Sequence, residues 1–183
     1  MAEKNDDELL VEQFHRGDES AFERIVKQYS ADIAILTNRL LGWPGDVEDV
    51  TQDIFLAAYL GLKKFRCECS LKSWLFTITI NKCRSSRYKR RLRLRRFSQE
   101  INRFSFSSDS DGKHIDTDEF RHVRRAVAAL PAKYREPVVL RYLQEIGTDE
   151  ISRILGITTN TLNVRLSRAR KRLRDDLVEI IGL

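Results

Sequence analysis

Residues Gly147 to Arg174 read GTDEISRILGITTNTLNVRLSRARKRLR. The stretch predicts two helices joined by a tight corner. Thr148 is placed to cap the first, Asp149 and Glu150 fall in its positive first turn, and Ile151, Ile154 and Leu155 take apolar i, i+3, i+4 spacing. Gly156 stops that helix, Ile157 and Thr158 complete the corner with a new cap, and Thr159 begins the second helix. Along it Leu162, Leu166, Ala169 and Leu173 form an inward stripe. Thr159, Asn160, Asn163, Val164, Ser167 and Arg168 then face out, with Arg165 at the margin. Short hydrogen-bonding side chains, a methyl-bearing Val and arginines are the types that meet base edges, thymine methyls and phosphates in a major groove. From Arg165 to Arg174 there are six cations and no anion. A solvated basic helix end, favoured by the helix dipole, is the competing reading. The uncharged N-terminal half of the helix argues against it.

Working outward, 183 residues of 42% hydrophobic content allow one domain or two small ones. No apolar run approaches a membrane span, and the acidic start, with Glu3, Asp6, Asp7 and Glu8, is unlike a signal peptide, so a cytoplasmic protein is expected. Cys67, Cys69 and Cys83 are an odd number for a disulfide framework, and free thiols are the default. The net charge of +6 is segregated. Residues 1–60 carry 5 cations and 13 anions, 61–103 carry 14 and 2, and 104–183 carry 14 and 12. An acidic block followed by a basic one suggests a protein partner for the first and nucleic acid for the second.

In chain order, Asp7 to Arg16 reads as a short helix with Leu9, Leu10 and Phe14 inward, ended by Gly17, and Asp18 is positioned to cap the next, which buries Phe22, Ile25, Val26 and Tyr29. A third pattern through Ile33, Leu36 and Leu40 runs into the breaker Gly42-Trp43-Pro44-Gly45. Asp46 caps a further helix that buries Val47, Val50, Ile54 and Ala58. Its other face carries Asp49, Gln52, Asp53 and Leu56 at i, i+3, i+4 and i+7, a strip suited to an Arg-bearing partner helix, with plain solvated surface as the alternative. After a loop, Phe65 to Ser70, a long helix runs from Leu71 to about Arg93. Trp74, Thr77, Asn81, Arg84 and Tyr88 recur on one stripe of it, continuing into Lys89-Arg90-Arg91. Aromatics interleaved with cations suit single-stranded nucleic acid, whose bases stack on rings while cations follow the backbone; a core role for Trp74 is the alternative. Periodicity stops over 98–118, where five serines and a Gly read as a flexible linker. Helical patterning resumes at Glu119. Pro131 begins another helix, in which Pro137 is tolerable only if the helix effectively starts near Tyr134. The expected fold is all-α: two small helical domains, 1–97 and 119–183, joined by a linker over 98–118, the C-terminal one a helix-turn-helix.

Two stretches now match one family in order and spacing. Asp46-Val47-Glu48-Asp49-Val50-Thr51-Gln52-Asp53-Ile54-Phe55-Leu56-Ala57-Ala58-Tyr59, leading to Phe65-Arg66 and Trp74-Leu75-Phe76 with Asn81, resembles the second region of an extracytoplasmic-function sigma factor. Leu130-Pro131-Ala132-Lys133-Tyr134-Arg135-Glu136, Leu140-Arg141-Tyr142 and the helix-turn-helix resemble its fourth region. The resemblance implies that Asp49, Gln52, Asp53 and Leu56 dock on core RNA polymerase. It implies that Phe65, Arg66, Lys72, Trp74, Thr77, Asn81, Arg84 and Tyr88 handle the minus-ten DNA, with loop 66–72 choosing a flipped base, and that Thr159, Asn160, Asn163, Arg165, Ser167 and Arg168 meet the minus-thirty-five DNA. It further implies promoter DNA and an anti-sigma factor as partners, no cofactor or metal, no membrane insertion, and catalysis left to the polymerase. The chain departs from the pattern at Cys67-Glu68-Cys69, where Gly and a carboxylate are usual, and at Asn163 and Val164, where a basic residue and Ser are usual.

Two rival readings stay open at this level. A stand-alone repressor could carry the same helix-turn-helix, without need of the acidic strip or the aromatic face. A metal-dependent enzyme could use Cys67, Cys69 and Cys83 with His114 or His122, although C-x-C lacks the usual zinc spacing.

Overall fold

Apolar side chains at helical spacing build eight α-helices, and no strand is present among the described residues. The structure, a computed structural model, describes residues 6–42, 46–100 and 118–181, with side chains over 6–42, 46–96 and 122–176. The first half comprises α1 (Asp6–His15), α2 (Ser20–Leu41), α3 (Val47–Leu62) and α4 (Leu71–Glu100); the second comprises α5 (Asp118–Ala129), α6 (Ala132–Val138), α7 (Thr148–Leu155) and α8 (Thr159–Ile181). Residues 43–45 of the breaker and 101–117 of the linker lie outside the described residues, as does His114.

The first half packs around Ile25, Ile33, Leu36, Ile54, Leu75 and Phe76, each buried to about 1% exposure or less, and each contributing roughly 1.5–3 kcal/mol of burial. Phe14 of α1 meets the ring of Tyr59 on α3 edge-on at 5.6 Å, and Phe22 of α2 does the same at 5.1 Å. Tyr29 donates its hydroxyl to both oxygens of the buried Asp7 at 2.7 and 2.8 Å, fastening α1 to α2.

Several elements differ from expectation. In α1, Val11 is buried and Leu9 is 46% exposed, because α1 turns its 7, 10, 11, 14 face to the bundle. The two patterns read between Asp18 and Leu40 form the single helix α2: no Gly or Pro interrupts them, and Ile25, Tyr29, Ile33, Leu36 and Leu40 make one stripe. Helix α4 continues past Arg93 to Glu100, at the edge of the linker reading. Asp46 occupies the cap position of α3, and Thr148 is the first residue of α7 behind Gly147, but neither helix has a side-chain capping bond. Helix α6 starts at Ala132, not near Tyr134, with Pro131 as its cap. Pro137 therefore lies well inside it, where its ring and missing N–H disturb the ladder. A π turn, Val139–Leu143, follows directly and closes with Gln144 N–H on the Val139 carbonyl at 3.0 Å.

The helix-turn-helix is as read: Gly156 ends α7 at φ 65°, and Thr158 Oγ1 accepts the Thr161 N–H at 3.2 Å.

The two halves do not stand apart, since one hydrophobic cluster runs through both. Arg135 of α6 is 2% exposed. Its Nη1 donates to the carbonyls of Leu40 (2.9 Å) and Leu41 (3.3 Å), its Nε to Val127 (3.1 Å), and its Nη2 to Leu130 (2.9 Å) and Ala128. The guanidinium thus sits where the C-terminal ends of α2 and α5 converge, where helix dipoles favour a cation. Gly42 closes α2 at φ 77°, and a Cβ there would lie 3.0 Å from the Ala128 Cβ. Only glycine lets the chain turn so close to the other half.

Candidate functional site

Three surfaces carry the residues singled out by the sequence. On α3, Val50, Ile54, Ala58 and Leu62 are buried, which turns Asp49, Gln52, Asp53 and Leu56 to solvent on the opposite side. Leu56 is 59% exposed, and Leu60, one turn further on, is 65% exposed. Leu60 extends the strip; its i+4 spacing from Leu56 was the signal for it. Two carboxylates beside a pair of uncovered leucines are chemically matched to an apolar helix edged with arginine.

The second surface is the loop before α4 and the outer stripe of that helix. Phe65 is buried and lies 4.8 Å from the Trp74 ring, the planes tilted by 31°. Trp74 is half-buried because Gly61 gives it room: a Cβ on Gly61 would come within 3.1 Å of the indole. Tryptophan is therefore both packed and presented. Arg66, Asn81 and Tyr88 are exposed, and the Thr77 hydroxyl donates to the Ser73 carbonyl at 2.9 Å. Asn81 stands two helical turns, about 10 Å, beyond Trp74, so the stripe is a track and not a single pocket. Lys72 turns back to Asp32 of α2 at 3.0 Å and lies over the Phe76 ring. Arg84 makes a bidentate pair with Glu136 of α6, Nε to Oε1 at 2.8 Å and Nη2 to Oε2 at 2.6 Å. That bond, acting against desolvation, raises the Arg84 pKa further.

A cavity of about 250 Å³ opens between α1 and the loop, lined by Asp7, Glu8, Phe65, Cys67, Cys69 and Leu71 among others. Cys67 is exposed and holds a left-handed φ of 54°. Cys69 is not made a thiolate by its neighbours: burial raises its pKa, Arg153 opposes that, and Lys72 is committed to Asp32. Cys83 faces the core, where burial pushes its thiol up to about 12. Among the described residues no group of three or more His, Cys, Asp or Glu is placed to hold a metal ion.

The third surface is α8. Leu162, Leu166 and Ala169 are buried; Thr159, Asn160, Asn163, Val164, Ser167 and Arg168 are exposed, with Arg165 between. Arg168 lies near enough to the Tyr134 hydroxyl to act on its pKa, and Arg172 lies 5.1 Å from the centre of that ring. Desolvation raises the Tyr134 pKa, but these cations and Lys133 outweigh it and the net direction is down. Sequence reasoning missed the contacts of Arg84, Arg135, Glu136 and Ser73 between the halves, because nothing local distinguishes them from solvated polar residues.

The comparisons with known proteins follow the same division. The family Sigma-70 region 2 matches residues 25–94, and Sigma-70, region 4 matches residues 120–173. The ECF RNA polymerase sigma-E factor of Escherichia coli strain K12 is 30% identical over 192 residues, covering 99% of each chain. The ECF RNA polymerase sigma factor SigW of Bacillus subtilis strain 168 is 29% identical over 182 residues, covering 93% of this chain and 96% of that one. Among solved structures, CnrH in complex with the cytosolic domain of CnrY superposes with a TM-score of 0.69 at 28% identity, covering 94% of this chain and 97% of that one. The sigma factor RpoE in complex with the anti-sigma factor NepR, from Bartonella quintana, gives 0.68 at 25% identity, covering 85% and 96%. No helix among the described residues is long and apolar enough to cross a membrane.

Proposed function

We infer the function from one premise: the chain belongs to the extracytoplasmic-function sigma factor family. It directs core RNA polymerase to specific promoters and helps melt the minus-ten element. Its partners are the core enzyme, promoter DNA and an anti-sigma factor, the last in line with the Bartonella relative solved with NepR. Residues 1–97 form the region 2 unit and 119–183 the region 4 unit, with 98–118 between them. The protein works in the cytoplasm, and bond-making belongs to the polymerase. One observation carries the reading: a single chain presents, in family order, an uncovered acidic strip on α3, an aromatic track on α4 and a polar recognition face on α8.

The roles follow the chemistry of each surface. Asp49, Gln52, Asp53 and Leu56, with Leu60, dock on the polymerase. A base flipped from the minus-ten strand enters the cavity beside Phe65 and the cysteine loop, where Arg66 lies at the rim. Trp74, Thr77, Asn81, Arg84 and Tyr88 guide the rest of the strand, and Lys72 supports the loop through Asp32. Thr159, Asn160, Asn163, Arg165, Ser167 and Arg168 read the minus-thirty-five duplex. Replacing Asp49 and Asp53 by Arg should abolish co-elution with core polymerase while the helical circular dichroism is unchanged. Undiminished co-elution would remove the docking role.

A further inference from the structure

The cavity beside the cysteine loop has two unlike walls. Phe65, Leu71 and the two loop cysteines make one of them apolar or weakly polar, and the first turns of α1 make the other, with Asp7, Glu8 and Val11. The match to Sigma-70 region 2 begins only at residue 25, so the wall on α1 lies outside it. Asp7 is held in place by the Tyr29 hydroxyl, which donates to it at 2.7 Å, and by the Gln28 amide, which donates to Oδ1 at 3.1 Å. Glu8 is exposed and makes no hydrogen bond or ion pair with any described residue. Ser70, the one hydroxyl on the lining, gives its proton to Ser73 Oγ at 2.7 Å, because Ser73 donates its own to Glu150. The lining side chains therefore offer carboxylate acceptors and, apart from weakly donating thiols, no donor.

We propose that Glu8, beside the fixed Asp7, selects the base that enters this cavity, and that it selects for an exocyclic amine. The proposal rests on the reading of the cavity as the flipped-base site. At about 250 Å³ it falls just short of the ~300–1,000 Å³ of drug-sized ligand pockets, which suits one heterocycle. Cytosine, adenine and guanine each carry an NH2 group that can donate to a carboxylate. Thymine instead presents two carbonyl oxygens around a single N–H, and those oxygens meet the Glu8 charge. The same charge repels phosphate, so a strand turns its base and not its backbone to this wall, while the exposed Arg66 is available to the phosphate. Because Glu8 is exposed, solvent and salt screen it, and discrimination against thymine is about five- to tenfold, the low end for one base-directed contact. The choice of base, expected of loop 66–72, is thus shared with the helix that opens the described chain.

The test runs holoenzyme carrying the full chain on a linear cognate promoter library randomised across the minus-ten element, and counts which templates are transcribed. The unaltered protein should show one minus-ten position at which thymine is disfavoured about five- to tenfold against the amine-bearing bases. Glu8→Gln, which can donate as well as accept, should bring thymine to within about twofold there and leave the other positions as they were. Glu8→Arg, a donor only, should reverse the order in favour of thymine and guanine, whose carbonyls accept; a merely structural loss in α1 would not reverse it. Preferences identical to the unaltered protein's at every position in both variants overturn the role of Glu8, and a position that turns against thymine in Glu8→Gln overturns selection for an amine. The reading of the cavity is tested apart. Iodoacetamide on Cys67 and Cys69, with Cys83 protected by burial, adds bulk to the cavity wall and should erase the selection at that same position, while a Cys67→Ser, Cys69→Ser protein treated alike should keep it. If the alkylated protein still selects, the base lies elsewhere and the site reading falls. Selection lost on alkylation but kept in Glu8→Gln removes Glu8 alone.

Discussion

At the scale of the residue, Cys67 is the one position of the loop before α4 held at positive φ, 54°. A side chain in that conformation costs roughly 1–2 kcal/mol, which explains physically why glycine is the usual residue near this point of the loop. Cys67→Gly should relieve that backbone cost, by about 0.5–1 kcal/mol in urea unfolding after glycine's larger chain entropy is subtracted; a net loss of stability would show that the contact the Cys67 residue makes outweighs the strain. Cys83 gives a pH prediction. Its folded pKa, pushed by burial to about 12, lies above the ordinary value near 8.5, so the folded state holds the proton more tightly. The associated stability is fully present below about pH 8.5 and is lost as pH rises toward 12, at up to ~1.4 kcal/mol per pH unit. Cys83→Ala should flatten that alkaline decline, measured as the difference in unfolding free energy between about pH 9 and 11. A slope equal to that of the unmodified protein would show that another group carries it.

At the scale of the element, the helices were legible because an apolar side chain every three or four residues leaves few other ways to bury it. The stripes of α3 and α8 were read down to Ala169 and the marginal Arg165, although Val47 and Leu173, read as inward, are only half-buried. What pattern reading could not give was where a helix tolerates insult. The pattern ending at Tyr29 and the one through Ile33, Leu36 and Leu40 were read as two helices where one continues, and Pro137 suggested a late start where the chain instead widens into a π turn. On α8 the structure separates two kinds of reader. Asn163 is exposed, whereas Arg168 also lies near the Tyr134 hydroxyl of α6 and acts on it. Asn163→Ala should cost about 1–3 kcal/mol of minus-thirty-five discrimination and leave the melting temperature alone. Arg168→Ala should lower both, by binding titration and thermal unfolding respectively. Equal melting temperatures for the two variants would assign Arg168 wholly to DNA.

At the scale of the whole molecule, two domains were legible from the loss of periodicity over 98–118, but not their packing against each other. A periodic stripe says which face of a helix turns inward and nothing about which neighbour it meets. Nothing in the sequence tells the contacts of Arg84, Arg135 and Glu136, because only the fold brings the carbonyl ends of α2 and α5, and the flank of α4, to them. The same limit applies to the functional surfaces. Residue types placed Trp74 and Asn81 on one face, and the structure adds that they are two turns apart on a track whose flank is occupied. On the proposed reading, one chain reads duplex with α8 and captures a strand with α4. Holoenzyme carrying Asn81→Ala, on a linear cognate promoter probed with permanganate, tests it most directly. The variant should still form the closed complex but show fewer reactive thymines in the minus-ten region, a defect that shrinks without vanishing on a template already mismatched there, because capture is still required after melting is not. Normal permanganate reactivity in the variant would contradict the strand-capturing role of α4 and leave a protein that reads duplex alone.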